Sequence, residues 1–385
     1  MSFDVAADAY DRFLGRYPVQ LSPSPSDLAA VRAAERVLDV GCGPAALTAE
    51  LVTRMGRVRI LNGVAHLQYP RSMSEPREAI ELDRNLLIEL APEAERLLRR
   101  HLDVAQEWFP HDYVPYRLGR DFDQDPWTPD QPRLTGVAQA AFEINLLTED
   151  NLPSYHRLIH RLFGKGDGAW MTWVGRWTAE EGRHAIVLRD YLTVTRNIDP
   201  VLLERGRMAQ VQHGYDHEGP GVLRGLAYVA FQELATRISH RNTGRYSDDP
   251  VADRIMVRIS ADENLHMVFY RDAVAAALAV RPSEAVRAIV DEVLDFKMPG
   301  TAIPGFRRKA AEMARAGIYD LRVHRDEVLL PLLGYWRIFE IGGLDAAAEE
   351  ARRNLATHLD KLDLAAKRFE EKLREAELPE AAARR

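Results

Sequence analysis

The sequence predicts an all-α chain, a four-helix bundle with additional helices, behind a short front of mixed α/β character. Three observations carry this. From residue 72 onward, long segments keep apolar residues at helical spacing. Short stretches rich in glycine, proline and aspartate separate them. Convincing strands are few there, and no repeat at solenoid period appears.

Taken in order, residues 37–40 (VLDV) form a β-prone apolar run, GCGP turns the chain, and ALTAELVTRM reads as a helix. Beyond residue 72, EAIELDRNLLIELAPEAERLLRRHLDVAQEWF is amphipathic, with an interruption at Pro92. A polar, proline-rich loop covers residues 110–132. Helical segments follow at about 133–163, 169–196, 221–243, 249–279, 283–297, 303–316 and 344–376. GKGDG, NIDP, HEGPG, YSDDP and KMPG punctuate them. These boundaries divide the chain into a front segment 1–72, a helical domain 73–345, and a C-terminal helix and tail 346–385.

The bulk numbers exclude several classes. The chain has 385 residues, 46% apolar and 28% charged, a globular balance. A net charge of −7 argues against a general nucleic-acid binder. Cys42 is the single cysteine, which excludes an internal disulfide and a Cys-rich zinc or iron–sulfur site. No apolar run is long enough to span a bilayer, the N-terminus lacks a secretory pattern, and a cytoplasmic location fits.

WTAEEGRH places Glu181 and His184 three residues apart, on one helix face. SADENLH repeats the spacing with Glu263 and His266. Either pair alone is most simply a surface ion pair. Both, however, border apolar stripes: Trp173, Trp177, Ile186 and Val187 around the first, Ile255, Ile259, Met267 and Val268 around the second. Buried carboxylates are costly without a partner, and metal coordination is one remedy. A two-metal carboxylate bundle needs a single Glu from each of two helices and Glu-x-x-His from the other two. Glu149 and Glu233 supply the single residues. The steps from single to pair are 32 residues (149 to 181) and 30 residues (233 to 263), an approximate two-fold pattern. Carboxylate and imidazole donors without thiolate suit iron, and also manganese.

WTAEEGRH, FQELATRISHRNTGR, ADENLH and TEDNLPSYHRL resemble hallmark stretches of the soluble acyl-[acyl-carrier-protein] desaturases, a di-iron family with a ferritin-like bundle. EWFPHDYVPY resembles the segment that carries that family's tryptophan near the surface. The resemblance covers about residues 80–340. It implies that Glu149, Glu181, His184, Glu233, Glu263 and His266 hold two iron ions, with dioxygen as co-substrate. It implies a fatty acyl chain on acyl carrier protein as substrate, a ferredoxin-type electron donor, a homodimer, and a cis double bond as product, in fatty acid biosynthesis. Thr236 shares a helix face with Glu233, and the matching threonine of the family lies beside the oxygen-binding side. The alternative for Thr236 is a bond back to its own helix carbonyl. Asp262 is a candidate acceptor for the second N–H of His184, and the resemblance implies an electron route through Trp108, Asp262 and His184. Trp170, Trp173 and Trp177 read as core, and His156, His160, His213, His217 and His240 receive no role. For the acidic carrier protein, Arg307, Arg308, Arg322 and Arg325 are candidate contacts. Arg161 stands where a deep tunnel wall is expected to be apolar.

Residues 37–51, VLDVGCGPAALTAEL, resemble motif one of class I S-adenosylmethionine methyltransferases, with Ala45 where a further glycine is common. The resemblance ends near Gly56, without a second strand bearing a ribose-binding acid. Some 60 residues bury too little for a doubly wound domain, so the front segment reads as a truncated remnant without activity. Two alternatives stand: a di-iron oxygenase of another substrate on the same scaffold, and a methyltransferase acting through residues 37–51.

Overall fold

The computed structural model describes residues 77–134, 136–164, 168–215 and 221–383. The chain divides into two compact units, Met1–Ser74 and Glu75–Arg385. The front segment, with its strand–turn–helix reading at 37–51, lies outside the described residues. Among those described, the regular structure is helical and no strand occurs. No described helix is long and apolar enough to cross a membrane.

The helices are α1 (Arg77–Glu89), α2 (Ala91–Val104), α3 (Gly136–Glu149), α4 (Leu152–Phe163), α5 (Ala169–Val194), α6 (Pro200–His213), α7 (Val222–Tyr246), α8 (Pro250–Val280), α9 (Pro282–Asp295), α10 (Phe306–Arg315) and α11 (Ala346–Ala383). Between α10 and α11 runs a bent helical stretch, Leu321–Val323, a π turn His324–Leu329, and Leu330–Tyr335. The single segment expected at 133–163 is two helices. Pro153 enters the first turn of α4, where its missing N–H costs nothing, and the chain breaks just before it. Helix α6 was not anticipated. Its Val201, Leu202 and Met208 are exposed, while Leu203, Gly206 and Gln210 are the buried positions, so apolar spacing does not mark its inner face.

The DP sequences at 199–200 and 249–250 start helices in the same way. Asp199 Oδ1 accepts from the backbone N–H of Val201 (2.8 Å) and Leu202 (3.2 Å). Asp249 Oδ1 accepts from Val251 (2.8 Å) and Ala252 (2.9 Å). Each cap satisfies otherwise orphaned donors, with proline next in the chain.

Helices α3, α5, α7 and α8 form the central bundle, with α7 and α8 its most extensive pair. Helix α2 packs on α5 and α8, α10 on α3, and α11 along α9. Two apolar layers result. One holds Trp173, Trp177, Phe231, Leu234, Met267 and Phe269, and the other Leu146, Val187, Leu188 and Ile259. Trp173 and Phe269 stack with centroids 3.7 Å apart and planes 6° apart, which adds about 1 kcal/mol to burial alone. Trp170, Trp173 and Trp177 are core residues, as their spacing suggested. On α5 and α8 alike, a polar belt lies between residues of the two layers.

Candidate metal centre

That belt contains the predicted side chains. Glu149 comes from the last turn of α3, Glu181 and His184 from α5, Glu233 from α7, and Glu263 and His266 from α8. All six are between 0% and 7% exposed, so water does not solvate them. Donor atoms of Glu149, Glu181, His184 and Glu263 lie within 4.8 Å of one another, as do those of Glu181, Glu233, Glu263 and His266. Glu181 and Glu263 belong to both sets. His184 Nδ1 is 3.5 Å from Glu181 Oε2 and 3.4 Å from Glu263 Oε1, and His266 Nδ1 is 2.8 Å from Glu181 Oε1.

The electrostatics of this cluster call for cations. Burial, and then the charges of Glu263 and Glu181, push the Glu233 carboxyl well above the usual range. Burial and the Glu263 charge likewise raise Glu181. Burial opposes ionisation of Glu149 as well, but the neighbouring imidazoles of His184 and His240 hold its carboxyl below the usual range. Although His266 Nδ1 and Glu181 Oε1 lie close, neither they nor Glu233 Oε2 nor either ring nitrogen of His184 makes a well-directed hydrogen bond, and all are buried. Such orphaned atoms are rare unless something else binds them. Four carboxylates with two neutral imidazoles carry four negative charges, which two divalent ions balance. The donor set therefore fits a two-metal site, and Glu181 and Glu263 are the residues common to both donor groups.

A family model for fatty acid desaturases matches residues 83–383. The chain belongs to the fatty acid desaturase family. A putative acyl-[acyl-carrier-protein] desaturase, DesA1 of Mycobacterium tuberculosis, is 50% identical over 300 residues, which span 75% of this chain and 88% of that protein. Stearoyl-[acyl-carrier-protein] 9-desaturase 6 of Arabidopsis thaliana is 33% identical over 228 residues, 54% of this chain and 57% of that one. The X-ray structure of the putative acyl-ACP desaturase DesA2 from Mycobacterium tuberculosis superposes with a TM-score of 0.57 at 31% identity, over 69% of this chain and 99% of that chain. The acyl-carrier-protein desaturase resemblance drawn from the motifs thus stands. So does the ferritin-like helical fold, and the chain is an oxidoreductase.

Around the desaturase centre, each imidazole turns its other nitrogen to a buried carboxylate on the opposite helix. His184 Nε2, on α5, lies 3.6 Å from Asp262 Oδ2 on α8. His266 Nε2, on α8, lies 3.0 Å from Glu180 Oε2 on α5. Trp108 is buried, and its Nε1–H donates to Asp262 Oδ2 at 2.7 Å. Arg183 joins the two carboxylates, 3.3 Å from Asp262 and 3.9 Å from Glu180. The Thr236 hydroxyl lies 3.1 Å from the carbonyl oxygens of both Gln232 and Glu233, the bond back to its own helix, and 3.0 Å from Glu263 Oε2.

Sequence reasoning passed over three contacting residues. His240 Nε2 lies 2.8 Å from Glu149 Oε1. Its position seven residues after Glu233, two helical turns on, was a legible signal. Glu180 precedes Glu181 just as Asp262 precedes Glu263, so the doubled acid in both motifs was another. His101 Nε2 lies 2.9 Å from Glu180 Oε2, and nothing local in its helix announces this. Trp177, read as core only, also donates to Glu233 Oε1 at 2.9 Å. Arg161 is exposed and forms no deep wall. Of the arginines named for a carrier, Arg322 binds Asp363 and Glu370, Arg308 binds Glu312, and Arg325 pairs with Asp326.

Beside the centre lies a cavity lined by Ile144, Met298, Phe306, Ala310 and Met313, with Glu149 and Thr236 on its wall. A narrower cavity shares Pro299 with it and is bounded by Tyr155, Leu158, Trp177 and Tyr228.

Proposed function

We propose that this fatty acid desaturase introduces a cis double bond into a fatty acyl chain carried on acyl carrier protein, in fatty acid biosynthesis. It uses dioxygen and two iron ions held by Glu149, Glu181, His184, Glu233, Glu263 and His266. The observation that carries this reading is the convergence of those six buried side chains beside an apolar cavity. In balance, the acyl –CH2–CH2– unit, dioxygen, two electrons and two protons give –CH=CH– and two waters.

Iron bound there supplies the redox chemistry that activates dioxygen. The chain's own residues do the rest. Ile144, Met298, Phe306 and Met313 offer an apolar wall that excludes water and aligns an unreactive hydrocarbon against the centre. The second cavity, by Trp177 and Tyr228, takes the far end of the chain. Holding both reacting carbons in one bent conformation makes the product cis. Thr236 holds a hydroxyl at Glu263, on the cavity side of the centre. Trp108, Asp262 and His184 form the path for single electrons from a ferredoxin-type donor. The names of the relatives supply the carrier protein. A homodimer in the cytoplasm completes the reading.

The test is product analysis. Purified protein is supplied with iron, a ferredoxin reducing system and acyl carrier protein bearing chains of several lengths. Mass spectrometry should find a product lighter by two hydrogens. Addition of an oxygen atom instead, at every length tried, would favour an oxygenase on the same scaffold.

A further inference from the structure

We infer that His101 is a positioning residue for the metal centre, acting on His266 through Glu180. This rests on the two-metal reading above. His101 belongs to α2, a helix that contributes none of the six proposed ligands. Its ring is 4% exposed, meets Trp173 edge-on at 4.9 Å between centroids, and lies stacked 5.9 Å from the His266 ring. His101 Nε2 and His266 Nε2 lie 2.9 Å and 3.0 Å from the same atom, Glu180 Oε2. One carboxylate oxygen has lone pairs for both N–H groups. The other oxygen of Glu180 takes Arg176 at 2.5 Å. Glu180 is thus fixed from three sides. With its Nε2–H committed to Glu180, a neutral His266 presents the Nδ1 lone pair to the centre.

The second nitrogen of His101 decides between support and function. His101 Nδ1 is buried and has no partner. An orphaned buried polar atom lowers stability, so packing alone would favour phenylalanine here, which keeps a flat ring against Trp173. A histidine that makes one hydrogen bond and leaves its other nitrogen bare is explained by that one bond. It holds Glu180 where Glu180 must be to aim His266. The opposite side of the centre is built the same way, with Trp108 donating to Asp262 beside His184.

The test uses anaerobic titration with cobalt(II), followed by its absorption bands, with chelator competition for affinity. The proteins are wild type, His101→Phe, His101→Gln, Glu180→Gln and the His101→Phe/Glu180→Gln pair. Wild type should take two equivalents. His101→Phe should hold one of the two about tenfold more weakly, while its metal-free form melts no lower than wild type. His101→Gln, whose amide N–H can reach the same oxygen, should recover most of the affinity. The pair should lose no more than Glu180→Gln alone, because His101 acts through that residue. Wild-type affinity in His101→Phe, or losses that multiply in the pair, would overturn the inference and leave the two-metal reading intact. Wild-type affinity in Glu180→Gln would overturn it as well, whether or not His101→Phe folds. Failure of the wild type itself to bind two equivalents removes both.

Discussion

The indole N–H of Trp108 donates to Asp262 Oδ2 at 2.7 Å, and the Arg183 guanidinium lies 4.8 Å from the same indole ring. Asp262 Oδ2 in turn lies 3.6 Å from His184 Nε2, so Trp108, Asp262 and His184 follow one another towards the carboxylate cluster. Trp108→Phe keeps the bulk and loses the donor. Metal content should stay at the wild-type level, while reduction of the loaded protein by a protein donor slows roughly tenfold or more, on the scale of lost outer partners. Stopped-flow reduction measures this, and an unchanged rate would remove Trp108 from the path.

Glu233 is fully buried; that burial, and then the charges of Glu263 and Glu181, push its carboxyl well up. Glu233→Gln relieves that crowding without changing shape. The metal-free variant should therefore melt at or above wild type. The same change removes a ligand, so the stabilisation that metal gives should shrink. For the wild type, metal at 100 times its Kd should add about 2.7 kcal/mol per site. Thermal melts with and without ferrous iron separate the two effects. Equal metal-induced shifts in both proteins would argue that Glu233 is no ligand.

The Thr236 hydroxyl has one proton and three acceptors within 3.1 Å, of which Glu263 Oε2 is nearest at 3.0 Å. Thr236→Val removes it at nearly constant volume. The variant should fold and bind two metals, at a cost of about 1 kcal/mol for the lost bond. Double bonds formed per dioxygen consumed should fall, because a group at the cavity wall beside Glu263 is gone. Oxygen uptake measured against product yield tests this. An unchanged ratio leaves Thr236 with only its helix bond.

His324 lies in the π turn, stacks on Phe296 at 5.0 Å between centroids, and sits 2.9 Å from the Tyr319 hydroxyl through Nδ1. Burial, and then the charge of His358, depress it to about 4 from an ordinary 6.5. The folded chain keeps this ring neutral, whereas the unfolded chain takes up a proton near pH 6.5. Below that pH the unfolded state binds more protons, so the contribution is present above pH 6.5 and is lost as the pH falls towards 4. The loss is on the order of 2–3 kcal/mol. Urea midpoints between pH 7 and 4.5 should fall less steeply in His324→Phe than in wild type. Parallel curves would refute the assignment.

The sequence makes much of this legible for identifiable reasons. Glu149, Glu181, His184, Glu233, Glu263 and His266 stand out because a helix converts three-residue spacing into a shared face, and because apolar neighbours betray which face is buried. Asp199 and Asp249 stand before prolines, so the starts of α6 and α8 are written locally. His101 is different. It gains meaning only from Glu180, 79 residues later, and that proximity is created by packing of α2 on α5 and α8. The break between α3 and α4 was readable from Pro153. The buried face of α6 was not readable beyond that start, because its exposed Val201, Leu202 and Met208 obscure it.

The exchange of carboxylates between α5 and α8 makes the two halves of the bundle depend on each other. Cut between α6 and α7, each half retains two glutamates and one histidine of the six. Neither half retains the acid that steers its own imidazole, since Glu180 serves His266 and Asp262 serves His184. Separated halves could therefore aim their imidazoles only when paired, each lending its acid to the other's histidine.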